Sequence, residues 1–170
     1  MIKLQKEIKS TFGAKHTPNT SQLVTVDGFD DLEKEGAVKF FSGKSLGDVL
    51  EHLQSRKADM IAGADYQLEE WSVLKPSARY YYLQAYLEFL LETQSENDPD
   101  GGYISDLFHQ LYQTVYMYGA EAYSDEQKVL LRKIAAFALE TIKSHKGIED
   151  WSDDIIDNIN TFLLELEKND

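Results

Sequence analysis

Residues 74–92 read LKPSARYYYLQAYLEFLLE, a stretch with four tyrosines, one arginine and almost no polar surface. Pro76 suits the first turn of a helix, because the amide hydrogen that proline lacks would have no partner there. At about 100° per residue, the apolar side chains form two nearly opposite stripes. These stripes are Tyr80, Leu83, Leu87, Leu90 and Leu91, and Ala78, Tyr82, Ala85, Tyr86 and Phe89. A helix that is apolar around most of its circumference packs against neighbours on several sides. The stretch therefore predicts a central helix over residues 76–94.

Helical periodicity also dominates the rest of the chain. A short helix is predicted over 2–12, and the serines Ser45 and Ser124 each begin a capping-box pattern that opens a further helix. The second of these boxes runs from Ser124 to Gln127. An amphipathic stripe that begins at Ile104 predicts another helix, and Ser152 caps the last helix of the chain. Two β-prone runs, 23–26 and 38–41, could each form a short strand.

These patterns predict a mainly α fold. We expect one domain over residues 1–170, built as a compact bundle of five to seven helices around the helix at 76–94. A small β element is expected within the first 45 residues. The length of 170 residues is sufficient to bury a core, and 42% of the residues are apolar.

Composition narrows the classes of function and location. The absence of cysteine excludes disulfides and zinc–cysteine sites, and it fits a cytoplasmic protein. No window approaches the run of about 18 apolar residues needed to span a membrane, and the first residues do not resemble a signal peptide. A formal charge of −13 argues against nucleic-acid binding, which requires Lys and Arg at the phosphates. We therefore expect a cytoplasmic protein that binds neither membrane nor nucleic acid.

The negative charge lies almost entirely in the second half of the chain. Residues 86–170 carry a net charge of −12, whereas residues 1–85 carry −1. No Lys or Arg occurs between Arg79 and Lys128, while nine acids do. Such a surface is either a solvated face or a site for a basic partner.

The helix at 76–94 has one narrow polar edge, formed by Tyr81, Gln84, Glu88 and Glu92. Its two glutamates are the first acids of this acidic region of the sequence. A tyrosine within an acidic field suits a partner rich in Lys and Arg. The predicted protein-binding residues are Tyr81, Glu88, Glu92, Asp98, Asp100 and Asp106.

Arg79 falls between the two apolar stripes, away from the acids of its own helix. Its guanidinium must therefore reach solvent or pair with a carboxylate from another element. Alternatively, Arg79 could bind an anion together with the neighbouring tyrosines Tyr80 and Tyr86.

Nothing in the sequence points to catalysis, a cofactor or a metal. The loop at 96–107 begins like a calcium loop but has Leu107 where a bidentate Glu is required. The four histidines are scattered, and no glycine-rich phosphate loop or nucleophile motif occurs. We expect a non-enzymatic protein without cofactor or metal, although carboxylates alone can catalyse some reactions.

The segment from Leu74 to Leu87 resembles a pattern found in small bacterial proteins of unknown function. In that pattern an early helix ends in Phe, a Pro-containing loop follows, and a later helix reads approximately LxPxAxRYYLxAYL before a Ser-x-x-Gln-capped helix. Phe12, Pro18 and residues 124–127 fit this order, whereas Gln84 stands where the pattern has Pro. The resemblance implies a compact helical bacterial domain and no particular activity. In size, charge and class the chain also resembles the immunity proteins of toxin systems.

Three functions are compatible with these features. The leading hypothesis is an acidic protein that binds a basic protein partner, as an immunity protein binds and neutralises a basic toxin. The second is a small-anion or enzymatic site centred on Arg79. The third is a structural subunit that self-associates through exposed aromatic residues; the sequence does not fix the oligomeric state.

Overall fold

Eight α-helices account for most of the chain in the computed structural model, which describes residues 2–13, 16–24, 31–56, 68–92, 101–144 and 152–168. Their bounds are α1 Ile2–Thr11, α2 Asp31–Phe41, α3 Leu46–Ser55, α4 Leu68–Val73, α5 Pro76–Glu92, α6 Gly102–Tyr118, α7 Asp125–Ser144 and α8 Ser152–Glu167. Short 3₁₀ turns lie at Thr20–Gln22 and Ala120–Ala122. The mainly α prediction is confirmed, with one helix more than the upper bound expected.

The predicted capping boxes fix the starts of two helices. At α3, the Ser45 hydroxyl accepts from the Asp48 amide at 3.2 Å and the Asp48 carboxylate accepts from the Ser45 amide at 2.7 Å. At α7, Ser124 and Gln127 form the same reciprocal pair at 3.0 and 3.3 Å. Each box satisfies amide hydrogens that the first helical turn leaves without partners. Both predicted helix starts are therefore confirmed.

Helix α5 is the centre of the core, as its sequence predicts. It packs against α1, α3, α4 and α6, and nearly all of its side chains from Ala78 to Leu91 are buried. Polar atoms on this helix are paired across the bundle. The Tyr82 hydroxyl lies 3.0 and 2.9 Å from the carbonyls of Phe41 and Lys44 at the end of α2, and Tyr103 of α6 donates to the Tyr86 carbonyl at 2.8 Å.

The small β element expected within the first 45 residues is not supported by the residues that the structure describes. Residues 38–41 belong to α2, where Ala37 and Phe41 are four residues apart and both buried. From the run at 23–26, the structure describes Leu23 and Val24; Val24 forms one isolated antiparallel bridge with Leu74, and no strand occurs in the described residues. Burial at helical spacing determined the conformation of 38–41, because β propensity is weaker than tertiary packing.

Helices α6 and α8 lie side by side and run parallel. Asn158 donates to the Ser105 hydroxyl at 2.9 Å near their amino ends, and the rings of Phe108 and Phe162 are 5.6 Å apart one turn further along both helices. Helix α7, which connects α6 to α8 in the sequence, packs against both α8 and α1. The amino ends of α6 and α8 therefore meet at one end of the pair.

None of the helices in the described ranges is long and apolar enough to cross a membrane.

Candidate functional site

The polar edge of α5 is covered by other elements. Tyr81 is 7% exposed, and its hydroxyl lies 3.0 Å from that of Thr17. Glu88 is 3% exposed; its carboxylate accepts from Gln84 at 2.6 Å and pairs with Lys9 of α1 at 3.1 Å. The expectation that Tyr81 and Glu88 lie on an exposed face is therefore wrong, because α1 and the segment after it pack over this edge.

The remaining predicted acids are differently placed. Glu92 is partly exposed and accepts two hydrogen bonds from the Gln54 amide, each 3.0 Å long. Asp106 is exposed on α6. Asp98 and Asp100 lie outside the described residues. The structure thus does not bring Tyr81, Glu88 and Asp106 onto one accessible surface.

Arg79 is fully buried and holds three elements together. Its Nε donates to the Leu74 carbonyl at 3.1 Å, Nη1 donates to the Thr114 hydroxyl of α6 at 3.0 Å, and Nη2 donates to the Ser72 carbonyl of α4. In return, Trp71 of α4 donates its indole hydrogen to the Arg79 carbonyl at 3.2 Å. No carboxylate of the described residues pairs with this guanidinium. The expectation that Arg79 reaches solvent or pairs with a carboxylate is therefore wrong among the described residues, because backbone carbonyls and a hydroxyl accept its hydrogen bonds in the core.

Aromatic rings complete the enclosure of Arg79. Its Cζ lies 5.4 Å from the ring centre of Tyr118 and 5.8 Å from that of Trp71, within the range of cation–π attraction. Burial lowers the pKa of Arg79, which the Tyr118 and Tyr123 phenols partly offset. Burial, followed by the neighbouring Tyr80 phenol, raises the pKa of Tyr123 well above its usual value. Burial also raises the pKa of Tyr80, so the Tyr80 and Tyr123 phenols are neutral at physiological pH.

The two tyrosines predicted to accompany Arg79 have different positions. Tyr80 is half-buried, and its ring packs edge-on against Tyr123 at 5.5 Å. Tyr86 is fully buried, and the centre of its ring lies 5.7 Å from that of Trp71. Tyr80 belongs to the enclosure around Arg79, whereas Tyr86 packs on Trp71, whose ring also lies near the Arg79 guanidinium.

A groove between α2 and α4 lies next to this enclosure. Ser72, whose carbonyl accepts from Arg79, is among its lining residues, which also include Leu32, Glu33, Gly36, Glu69, Glu70 and Val73. Three of these residues are glutamates, which would repel an anion approaching from this side. Arg79 itself does not line the groove.

Helices α6 and α8 carry exposed acids without any basic residue among them. These helices contain six carboxylates and no Lys or Arg. Five of the six are exposed, and we call them the acidic face: Asp106, Asp153, Asp154, Asp157 and Glu167. Two of the five, Asp153 and Asp154, lie in the first turn of α8, where the helix macrodipole stabilises negative charge. The carboxylates of the acidic face are therefore held on helices, and all of them carry negative charge.

An aromatic stripe follows the outer side of α6. It consists of His109, Tyr112 and Tyr116, with ring centres 6.5 Å apart in the first pair and 5.9 Å in the second. Tyr116 is 67% exposed, a large fraction for an aromatic side chain. The sequence signal for this stripe was present, since Tyr112 and Tyr116 are four residues apart and lie off the apolar stripe of α6.

In the part of the chain that the structure describes, no group of three or more His, Asp or Glu side chains could hold a metal ion. The chain matches no protein-family model, and no curated protein or solved structure is similar to it at a significant level.

Proposed function

We propose that this chain is a non-enzymatic protein that binds a basic protein partner through the acidic face of α6 and α8. One observation carries the proposal: five exposed carboxylates lie on two packed, parallel helices that contain no Lys or Arg. A surface of one sign steers an oppositely charged partner and raises the association rate, and salt weakens this effect.

The acids that support this proposal differ from most of those that the sequence indicated. Asp106 belongs to both sets, whereas Glu88 is buried against Lys9. The partner would therefore approach α6 and α8 rather than the edge of α5. Neutralisation of a basic toxin, as by an immunity protein, is the specific form of this function that size, charge and class favour.

We expect that changing Asp153, Asp154 and Asp157 of α8 to asparagine lowers partner affinity at least tenfold, mainly through slower association, because three steering charges are lost. The partner is first captured on immobilised protein from a lysate of the source organism at low salt, and association rates are then measured with the purified partner over a salt series.

The matched control is the triple change of Asp31, Glu33 and Glu35 of α2 to their amides. It removes three exposed acids and, as in α8, two of them lie in the first helical turn. If both triple variants weaken binding equally, only net charge acts and the proposed face is wrong. If neither weakens binding, the electrostatic function itself is wrong.

A second proposal is an anion site at Arg79, favoured by a buried guanidinium that no described carboxylate pairs with. We expect phosphate or sulfate to shift the indole N–H resonance of Trp71 saturably in NMR spectra, because that group donates to the Arg79 carbonyl. The chain has two tryptophans, so the resonances can be assigned with a Trp151→Phe variant. An unshifted Trp71 resonance at high anion concentration would exclude this site.

A further inference from the structure

The groove between α2 and α4 adjoins a second cavity near the end of α2. The groove has a volume of about 470 Å³ and the second cavity about 330 Å³, both within the range of roughly 300–1,000 Å³ found for small-ligand sites. Gly36 and Glu70 line both and therefore mark the junction. The other charged lining residues are acidic in the groove and basic in the second cavity, namely Glu33, Glu69, Lys39 and Lys44. We call the two cavities together the α2–α4 site; it has one acidic and one basic end.

The basic end of the α2–α4 site is held in position by the core. The Tyr82 hydroxyl of α5 contacts the carbonyls of Phe41 and Lys44, at 3.0 and 2.9 Å, and this fixes the turn that follows α2. The Lys44 ammonium lies 3.6 Å from the ring centre of Phe40, in cation–π contact. Lys39 is exposed beside the same cavity. A bound anionic group would therefore meet two ammonium groups, one of which is already positioned.

Gly36 lies at the junction of the two cavities, in the middle of α2. Glycine in the interior of a helix is less favourable than alanine. The fold does not require glycine here, since a Cβ at this position would lie 3.6 Å from Cγ and Oε1 of Glu70, an ordinary van der Waals distance. A longer side chain would fill the junction, however. The glycine thus keeps the α2–α4 site open although it destabilises the helix.

We propose that the α2–α4 site binds a zwitterionic peptide of about three residues, with its ammonium group at Glu33 and Glu69 and its carboxylate at Lys39 and Lys44. Charge complementarity gives this orientation, because each terminus lies beside charges of the opposite sign. The length follows from α2: the step from Glu33 to Lys39 rises about 9 Å along the helix, and three extended residues span about 10 Å. This site lies on helices other than α6 and α8, so it is independent of the acidic face.

The middle of such a peptide would lie over Gly36. A peptide backbone can approach glycine more closely than any other residue, because glycine has no side chain. The Glu70 carboxylate at the junction can accept a hydrogen bond from a peptide amide. Apolar side chains of the peptide would cover Leu32, which is 78% exposed, and the half-buried Phe40. The α2–α4 site therefore offers partners to the termini, backbone and side chains of one short peptide.

Isothermal titration calorimetry at low salt tests the proposal, with the tripeptide Ala-Leu-Ala as the probe. We expect saturable binding with a Kd below about 1 mM. N-acetylation and C-amidation each remove one terminal charge, and each should weaken binding about tenfold. Absence of binding by the free tripeptide, or equal binding of the doubly blocked peptide, would overturn the proposal.

Combined changes in protein and peptide test the orientation. Lys39→Gln should weaken binding of the free tripeptide about fivefold and leave binding of the C-amidated peptide unchanged, because that peptide has no carboxylate to lose a partner. Glu69→Gln should act in the same way on the free and the N-acetylated peptides. Both residues are exposed, so these variants should fold. Effects that are the same for free and blocked peptides would contradict the proposed orientation.

Gly36 allows a test in which stability and binding change in opposite directions. We expect Gly36→Ala to raise the urea midpoint of unfolding and to weaken tripeptide binding about threefold, and Gly36→Met to abolish binding. The matched control is Gly47 of α3, where an added Cβ would also lie 3.6 Å from its nearest neighbour, Ser45 Oγ. The same two changes at Gly47 should leave binding unaltered. Lower stability of Gly36→Ala, or unchanged binding by Gly36→Met, would show that the glycine does not keep a ligand site open.

Two triple variants distinguish this site from the acidic face. The amide variant of α2 lacks Glu33, so it should weaken binding of the tripeptide but not of the basic partner. The asparagine variant of α8 should have the reverse effect. If the α8 variant weakens tripeptide binding as much as the α2 variant does, net charge alone acts and the α2–α4 site is wrong, whereas a partner that ignores the α8 variant removes only the acidic face.

Discussion

Replacing Arg79 by alanine should lower the free energy of unfolding by about 3 kcal/mol. The change removes a fully buried side chain and leaves three acceptors without their donor, namely the carbonyls of Ser72 and Leu74 and the hydroxyl of Thr114. Cavity formation and buried acceptors without partners each cost about 1–3 kcal/mol. Relief of the buried charge offsets part of this loss, since desolvation of a guanidinium is itself unfavourable.

Urea unfolding followed by circular dichroism measures this difference, with three further variants for comparison. Arg79→Met keeps most of the volume but donates nothing, so it should lose the contribution of the hydrogen bonds and be less destabilising than alanine, which also leaves a cavity. Arg79→Lys keeps the charge, but its ammonium group lacks the geometry of a guanidinium and cannot reach all three acceptors. Its stability should therefore be intermediate. Lys39→Ala, an exposed change on α2, should alter stability by less than about 0.5 kcal/mol. A methionine variant as stable as the wild type would show that the hydrogen bonds of Arg79 give no net stabilisation.

The helices were predictable because their signals are local. The two capping boxes at Ser45 and Ser124 each place a hydrogen-bonding side chain three residues from its partner, and such pairs form within one turn. The apolar circumference of α5 likewise indicated its central position. The run at 38–41 was misassigned because Phe40 and Phe41 favour strands as isolated residues, whereas the spacing of Ala37 and Phe41 places both in the core of a helical bundle.

Whether the polar edge of α5 is exposed or buried could not be predicted from the sequence of that helix alone. Tyr81 and Glu88 look like exposed residues on a helical wheel, and their partners Thr17 and Lys9 are distant in the chain. Which face a helix buries depends on neighbours that periodicity does not identify. The stripe of Tyr112 and Tyr116 was detectable by spacing, because the two tyrosines are four residues apart and lie off the apolar stripe of α6.

The buried ion pair between α1 and α5 leads to a second prediction of large effect. Glu88 has a side-chain exposure of 4%, whereas its partner Lys9 is 56% exposed. Among the described residues, loss of the lysine would leave the buried carboxylate with the Gln84 amide as its remaining partner, at 2.6 Å. We therefore expect Lys9→Ala to lower the free energy of unfolding by about 2 kcal/mol, less than for a fully buried pair because Lys9 is half solvated.

A second change at Glu88 should reverse much of this loss. In the Lys9→Ala background, Glu88→Gln removes the buried charge and supplies an amide hydrogen that can reach Gln84 Oε1, which has no hydrogen-bond partner in the structure. We expect the double variant to recover at least half of the lost stability, measured by urea unfolding as a double-mutant cycle. Lys6→Ala, an exposed change on the same helix, serves as the control and should be nearly neutral. If Lys9→Ala is equally neutral, then Gln84 alone satisfies Glu88, and the ion pair contributes nothing to the docking of α1 on α5.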